Sequence, residues 1–340
     1  MMIKIKFFQG SAIAIVISAL LCACNGAANS SNQTAETQYP SFNYAKVGVA
    51  LNPDYSVNNL FVSGDKVYLS LADQDESTFG YAEISKNASS SDNYQAVYLT
   101  MPTDHQYSLI GDMTVNQDDS ILYVPVAYLS GNSYNYTWLK YKPAATTSFD
   151  SVGNFLVSSE SSAQFALKSA SFSDGVVYAN YAGNLVGFSE SGSKELFKDS
   201  QLLLSWQDSF AISKNWMIAI NDNDNGLVRV SLDNKNRAQI GEDFVALANK
   251  GFEAMPKFTI YNHIIYILAI HRTGSSQTPH LALCSISDAA DVNTGWDCKV
   301  GVNSLTMGSQ LINLDVDKYT GKLYFISHSL ANGSQLYVIN

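Results

Sequence analysis

Lys66-Val67-Tyr68-Leu69-Ser70-Leu71 is an apolar run with tyrosine at its third place, and the chain writes close variants of it again and again. The further copies are Ile121-Leu122-Tyr123-Val124, Val176-Val177-Tyr178-Ala179, Trp216-Met217-Ile218-Ala219-Ile220, Ile264-Ile265-Tyr266-Ile267 and Lys322-Leu323-Tyr324-Phe325-Ile326. The intervals from Tyr68 through Tyr123, Tyr178, Ile218, Tyr266 and Tyr324 are 55, 55, 40, 48 and 58 residues. Self-similarity at this period is the signature of propeller blades, each a small sheet that buries its faces only against its neighbours. The copy from Ile264 to Ile270 is apolar at every position, as a strand covered on both faces should be. An outer-membrane barrel strand would alternate instead.

Working outward, each copy follows a strand and a tight turn, as in Leu60-Phe61-Val62-Ser63-Gly64-Asp65 and Phe172-Ser173-Asp174-Gly175, where Asp-Gly supplies hairpin chemistry. Each copy precedes a third strand: Tyr81 to Ser85, Trp138 to Lys142, Leu185 to Ser189, Leu227 to Leu232, Leu281 to Ile286 and Leu336 to Asn340. A weaker outer strand follows at Tyr94 to Met101, Ser151 to Val157, Lys194 to Lys198, Arg237 to Gly241 and Trp296 to Val302. The last unit reaches Asn340 without its outer strand, while residues 41–51 form an unassigned strand near the other end. Placing 41–51 in the last unit predicts an all-β, six-bladed β-propeller closed by an N-terminal strand, with no free edge to invite association. A monomer is expected. Two β-sandwich domains are the competing arrangement. Pro125 lies in a central strand, where it removes a ladder bond, and predicts a bulge.

Asp315-Val316-Asp317-Lys318-Tyr319-Thr320-Gly321-Lys322-Leu323-Tyr324 resembles the strand-turn-strand repeat of bacterial propellers of the surface-layer, NHL and lactonase-like groups. The resemblance implies architecture and leaves function open.

Composition narrows the function classes. With 46% hydrophobic and 12% aromatic residues the chain buries a large core, which excludes disorder, and 15% charged residues excludes a coiled coil. A net charge of −10 repels a phosphate backbone, so nucleic acid is not an expected partner.

The N-terminus reads as an address. Lys4 and Lys6 precede an apolar run from Ser11 to Leu21, too short to span a bilayer, which needs about 20 residues. Leu21-Cys22-Ala23-Cys24 then resembles the bacterial lipobox, with a small residue before the acceptor cysteine. The resemblance implies a lipoprotein: residues 1–23 a signal peptide, lipid on Cys24, a flexible tether over 24–39 and a single propeller domain over 40–340. It implies a cell-envelope protein held to the membrane by that lipid. Asn25, being no aspartate, implies the outer membrane over the inner one.

Two cysteines remain after such processing. Cys284 and Cys298 fall in the third and outer strands of the fifth unit, within reach of one another in adjacent strands, and an exported location favours a disulfide. No Cys/His spacing suggests zinc.

In a propeller, the loops joining second to third strands, and outer strands to the next unit, gather at one end of the central channel. His105, His271, His280 and His328 fall in or beside such loops. Arg272 neighbours His271, and Tyr134 and Trp138 lie on the long insertion of the second unit. His271, Arg272 and His328 form the most economical ligand-binding cluster, with His105, Tyr134 and Trp138 as further candidates. No catalytic set completes itself. There is no G-x-S-x-G elbow, and Asn58, Asp112, Asp208 and Glu253 do not match one another as lactonase-type metal ligands. Asn221 to Gly226 looks like a calcium loop, but Leu232 stands where the bidentate glutamate belongs. The expectation is therefore a binding or scaffold module for a protein or peptide partner, with no catalytic residue, metal or cofactor. A metal-dependent hydrolase or lactonase-like enzyme working at the channel mouth is the alternative.

Overall fold

The structure is a computed structural model. It describes residues 39–340 except 53–55, 73–78, 101–102, 110–112, 132, 143–149, 156–169, 182–183, 190–191, 198–209, 222–225, 274–277, 306–308 and 331. Residues 1–23, expected to be a signal peptide, Cys24 and residues 25–38 lie outside the described residues, as do Asp112, Asp208 and the side chains of Asn58 and Tyr134.

Two leading strands, β1 (Ser41–Phe42) and β2 (Tyr44–Leu51), precede the repeats. The first repeat folds as β3 (Ser56–Ser63), β4 (Lys66–Ala72), β5 (Phe79–Ser85) and β6 (Gln95–Tyr98). The second is β7 (Tyr107–Leu109), β8 (Thr114–Asn116), β9 (Ile121–Ser130), β10 (Ser133–Tyr141) and β11 (Asp150–Phe155). The third is β12 (Ala170–Ser173), β13 (Val176–Tyr181), β14 (Asn184–Ser189) and β15 (Gly192–Phe197). The fourth is β16 (Phe210–Ser213), β17 (Trp216–Asn221), β18 (Gly226–Ser231) and β19 (Arg237–Ile240). A short helix, α1 (Phe244–Asn249), leads to the fifth: β20 (Phe252–Tyr261), β21 (Ile264–Thr273), β22 (Thr278–Ser287) and β23 (Asp297–Ser304). The sixth is β24 (Gln310–Val316), β25 (Leu323–Ser329) and β26 (Gly333–Ile339).

Each repeat forms its own sheet of antiparallel strands, six sheets among the described residues. Their first strands touch in a closed cycle, β3 to β8, β12, β16, β20, β24 and back to β3, and so line a central channel. This is a β-propeller. The tyrosine-bearing strands are sandwiched as the sequence demands: Val67, Leu69, Leu122, Val124, Ile265, Ile267, Phe325 and Ile326 are all buried. Apolar clusters fill the gaps between sheets, with Tyr68 and Tyr81 against Leu122 and Leu139, and Ile218 and Leu227 against Ile265 and Ile267.

Closure is more elaborate than a single added strand. β2 pairs antiparallel with β26, from Tyr44 opposite Ile339 to Leu51 opposite Ser334, and so supplies the missing outer strand of the sixth sheet. β1 pairs parallel with β23 of the fifth sheet, Ser41 opposite Val300. The chain crosses between sheets at Asn43, whose carbonyl accepts a hydrogen bond from the Asn340 N–H at 3.1 Å. Gly48 sits at the register break in β2 with φ of +73°, a left-handed backbone that favours glycine, and a Cβ there would displace the Ile84 side-chain tip and press on the Asp92 carbonyl at 3.0 Å.

Pro125 stays in register with Trp138, and the irregularity falls on its other side. Leu109 pairs with Val126 and Thr114 with Tyr123, so the inner strand covers five steps while β9 covers three. Pro125, which has no N–H to offer a ladder, lies between those two pairings. Inner strands β3, β20 and β24 are bulged as well, between Val57 and Leu60, Ala254 and Phe258, and Leu311 and Asn313. The expected disulfide is present: Cys284 and Cys298 are directly opposed in β22 and β23 and joined at 2.05 Å.

Candidate functional site: the central channel

The innermost strand of each sheet is an edge whose outward N–H groups lack a ladder partner and face the axis, and bulges re-aim polar side chains there. Asn59, Asn313 and Asp315 all use this freedom in the same way, each accepting the N–H of its own successor, Leu60, Leu314 and Val316. Their remaining capacity joins different sheets. Asn313 Nδ2 donates to Asn59 Oδ1, and Asn59 Nδ2 donates to the Met113 carbonyl at 3.0 Å, which links the sixth, first and second sheets.

Asp315 is the hub. Its Oδ2 accepts the Val62 N–H at 2.8 Å and Gln117 Nε2 at 3.1 Å, while Oδ1 accepts the Val316 N–H at 2.8 Å and the Thr259 hydroxyl at 3.5 Å. Donors thus arrive from the first, second, fifth and sixth sheets at one carboxylate. Burial pushes its pKa from 3.8 up to about 7, against the hydrogen bonds from Val62, Val316, Thr259 and Gln117, which favour the charged form. Two residues on, Asp317 in the turn after β24 behaves oppositely. Burial raises it, but Lys86 at 2.6 Å, Thr320 at 2.7 Å and the Tyr319 N–H together hold it below its ordinary value.

Above this belt the inner strands enclose a cavity of about 640 Å³. It opens where first strands turn into second strands, since turn residues Asp118, Asp174, Lys214, His263 and Lys318 line it. Several of these turns are two-residue hairpins requiring left-handed backbone: Asp174 and Gly175 have φ of +49° and +79°, Asn262 and His263 +49° and +64°. Lys318 pairs with Asp118 across the mouth, and His263 Nδ1 lies 3.0 Å from Asp288.

The histidines singled out in the sequence serve their own sheets. His271 is buried, its Nδ1 at 2.9 Å from the Gly251 carbonyl and its ring stacked on Phe252 at 4.5 Å. Arg272 faces Glu253 at 3.8 Å. His328 Nδ1 meets the Ser334 hydroxyl at 3.1 Å, and His105 stacks on Tyr128 at 4.0 Å. Trp138 packs between sheets near Phe188, 1% exposed, with its Nε1 lacking a hydrogen-bond partner among the described residues. Among the described residues no three His, Cys, Asp or Glu side chains gather to hold a metal ion. The axial belt and the lysines of the cavity went unread in the sequence. Alternation in the inner strands carried the signal: Lys257 and Thr259 flank Phe258, Asn313 and Asp315 flank Leu314, and Ser171 and Ser173 flank Phe172.

Fold and channel define an all-β propeller with a polar axis. No family description matches the chain, and no curated relative does. Among solved structures it is similar to a luciferin-regenerating enzyme, at 12% identity and a TM-score of 0.46, covering 90% of this chain and 94% of that one. It is also similar to the aldose sugar dehydrogenase of Streptomyces coelicolor, at 10% identity and a TM-score of 0.44, covering 88% and 99%. A sialidase mutant from Trypanosoma rangeli matches at 10% identity and 0.47, covering 88% and 59%. Likenesses this distant carry no functional argument, and the propeller assignment rests on the strand pairing.

Proposed function

We propose that the protein is a lipid-anchored propeller of the bacterial cell envelope that acts as a binding or scaffold module for a protein or peptide partner. The observation that carries this reading is the state of the axial polar groups. Asp315, Asn59 and Asn313 are engaged in joining sheets, so they serve as fasteners and not as an acid, base or ligand set awaiting a substrate. The anchor rests on Leu21-Cys22-Ala23-Cys24. The partner-binding face in this reading is the end bearing the hairpins between second and third strands, where Leu129 is 54% exposed and Leu330 93% exposed. The two leucines stand on the second and sixth sheets, one on each side of the first, and exposed apolar side chains at one end of the ring are what an apolar contact needs.

A photo-crosslinking side chain placed at Leu330 or Leu129 in intact cells should capture a discrete adduct. The same group at Tyr319, exposed at the opposite end, should not. No adduct from either leucine, or the same adduct from all three positions, overturns the binding face. For the anchor, metabolic labelling with a fatty acid should mark the wild type and miss Cys24→Ala, and equal labelling of both sinks the lipid assignment.

A further inference from the structure

The lysines of this acidic chain have carboxylates to choose from, 30 against 20 basic residues, and the half-buried ones generally take them. Lys66 meets Glu83, Lys86 meets Asp317 and Lys318 meets Asp118. Lys140 has its own engagement. Lys257, half-buried in β20, meets no carboxylate and makes no other polar contact among the described residues. Lys257 lines the channel cavity, on the same side of β20 as Thr259 two residues on. A partly desolvated charge without a counter-ion is costly, and the cost is relieved when an anion arrives.

The surroundings give that anion a place and a direction. Lys214, on the turn of the adjoining fourth sheet, lines the same cavity at its mouth and likewise has no carboxylate partner among the described residues. The acids that line the cavity lie on other sheets: Asp174 on the third, Asp118 on the second, already neutralised by Lys318, and Asp315 on the sixth, held by its four donors. Positive charge is therefore concentrated on the wall formed by the fourth and fifth sheets. Thr114 and Asn262 add a hydroxyl and an amide to the lining. At about 640 Å³ the cavity falls within the roughly 300–1,000 Å³ of small-molecule sites.

We propose that the channel binds a small oxyanion-bearing molecule, its carboxylate or phosphate docked on Lys257 with Lys214 at the entrance. The site faces away from the hairpin end assigned above to the partner, so the two readings stand or fall separately.

Calorimetric titration of the purified protein at low ionic strength tests it, with D-glucuronate and inorganic phosphate as separate probes and D-glucose as the uncharged counterpart of the first. At least one anion should bind saturably and weaken as salt is added. Lys257→Met should weaken it about tenfold, Lys257→Arg should keep most of the affinity, and Lys46→Met, on the exposed outer strand, should change nothing. Binding of glucuronate alone identifies a carboxylate ligand, and binding of phosphate alone a phosphate ester. No saturable binding of either anion overturns the proposal, as does unchanged affinity in Lys257→Met or glucose binding as tightly as glucuronate. If Lys257→Met does not fold, Lys214→Met carries the same comparison from the mouth.

Discussion

At the outer edge of the fifth and sixth sheets the ring is joined by main chain, β1 on β23 and β2 on β26. At the axis the same two sheets are joined by side chains, with Thr259 of the fifth donating to Asp315 of the sixth. The outer seam is a ladder: many similar bonds, each replaceable, indifferent except at Gly48 to which residues supply them. The axial fastener is one carboxylate with four donors, so its loss leaves several buried groups unpaired at once. The first kind of closure is tolerant of substitution and intolerant of deletion. The second is the reverse.

The largest effect should come from cutting the outer seam. A chain beginning at Asn52 loses β1 and β2 together, and with them the apolar burial of Phe42 and Val47. Its thermal transition should lose cooperativity or vanish. A chain beginning at Tyr44 keeps β2 and should fall between that and a chain beginning at Gln38. If the chain from Asn52 melts as cooperatively and as high as the one from Gln38, the ring does not depend on its N-terminal strands.

Cutting the axis comes next. Asp315→Ala strands the Val62 and Val316 N–H groups and the Gln117 amide, and a cost of about 4 kcal/mol is expected by urea titration. The pH dependence sharpens the assignment. Because the folded carboxyl titrates near 7 and the unfolded one near 3.8, the folded state holds its proton more tightly. Asp315 therefore favours folding at low pH, and its contribution declines as pH rises between those values and is constant above them. Wild type should lose stability relative to Asp315→Asn over that window. A flat difference would mean that the carboxyl titrates normally.

The same contrast explains what the sequence disclosed. The outer seam was legible because it is made of main chain: a unit short of one strand at Asn340 and a spare strand at 41–51 must meet, whatever their side chains. Only the step at Asn43, which sends 41–42 to the fifth sheet, was hidden, since parallel pairing over so few residues leaves no pattern. The disulfide was legible for a similar reason, adjacent strands fixing Cys284 opposite Cys298. The axis was not. Which polar side chain of an inner strand reaches which sheet depends on bulges of one or two residues, and those follow from packing of the whole ring. Asp315 and Lys257 read as ordinary polar positions, while histidines drew attention by residue type and proved to bond within their own sheets.

A middle-sized effect is expected within the fifth sheet. Cys284→Ser with Cys298→Ser opens a loop with a sequence separation of 14, worth about 3 kcal/mol on the chain-entropy account. Because β22 and β23 remain paired by main chain, the double variant should still melt in one transition at lower temperature. Reductant should lower the wild-type melting temperature to the same value. If reductant leaves it unchanged, the bridge contributes nothing beyond the ladder it spans.

The smallest effect lies at the turn beside the axis, where Lys86 of the first sheet meets Asp317 of the sixth. This pair is partly redundant, because the Thr320 hydroxyl and the Tyr319 N–H also satisfy Asp317. Lys86→Met should therefore cost about 2 kcal/mol, below the usual range for a broken buried pair. Its pH dependence should run opposite to that of Asp315. A carboxyl held below its ordinary value stabilises the fold above the unfolded value of 3.8 and loses that contribution as pH falls through its folded value. The cost of Lys86→Met should thus shrink between neutral pH and a pH below the folded value, where the carboxyl has taken up a proton and has no ammonium to lose. An equal cost at both pH values would assign the loss to packing of the lysine methylenes, and the polar joint between first and sixth sheets would then rest on the axial bonds, Val62 to Asp315 and Asn313 to Asn59.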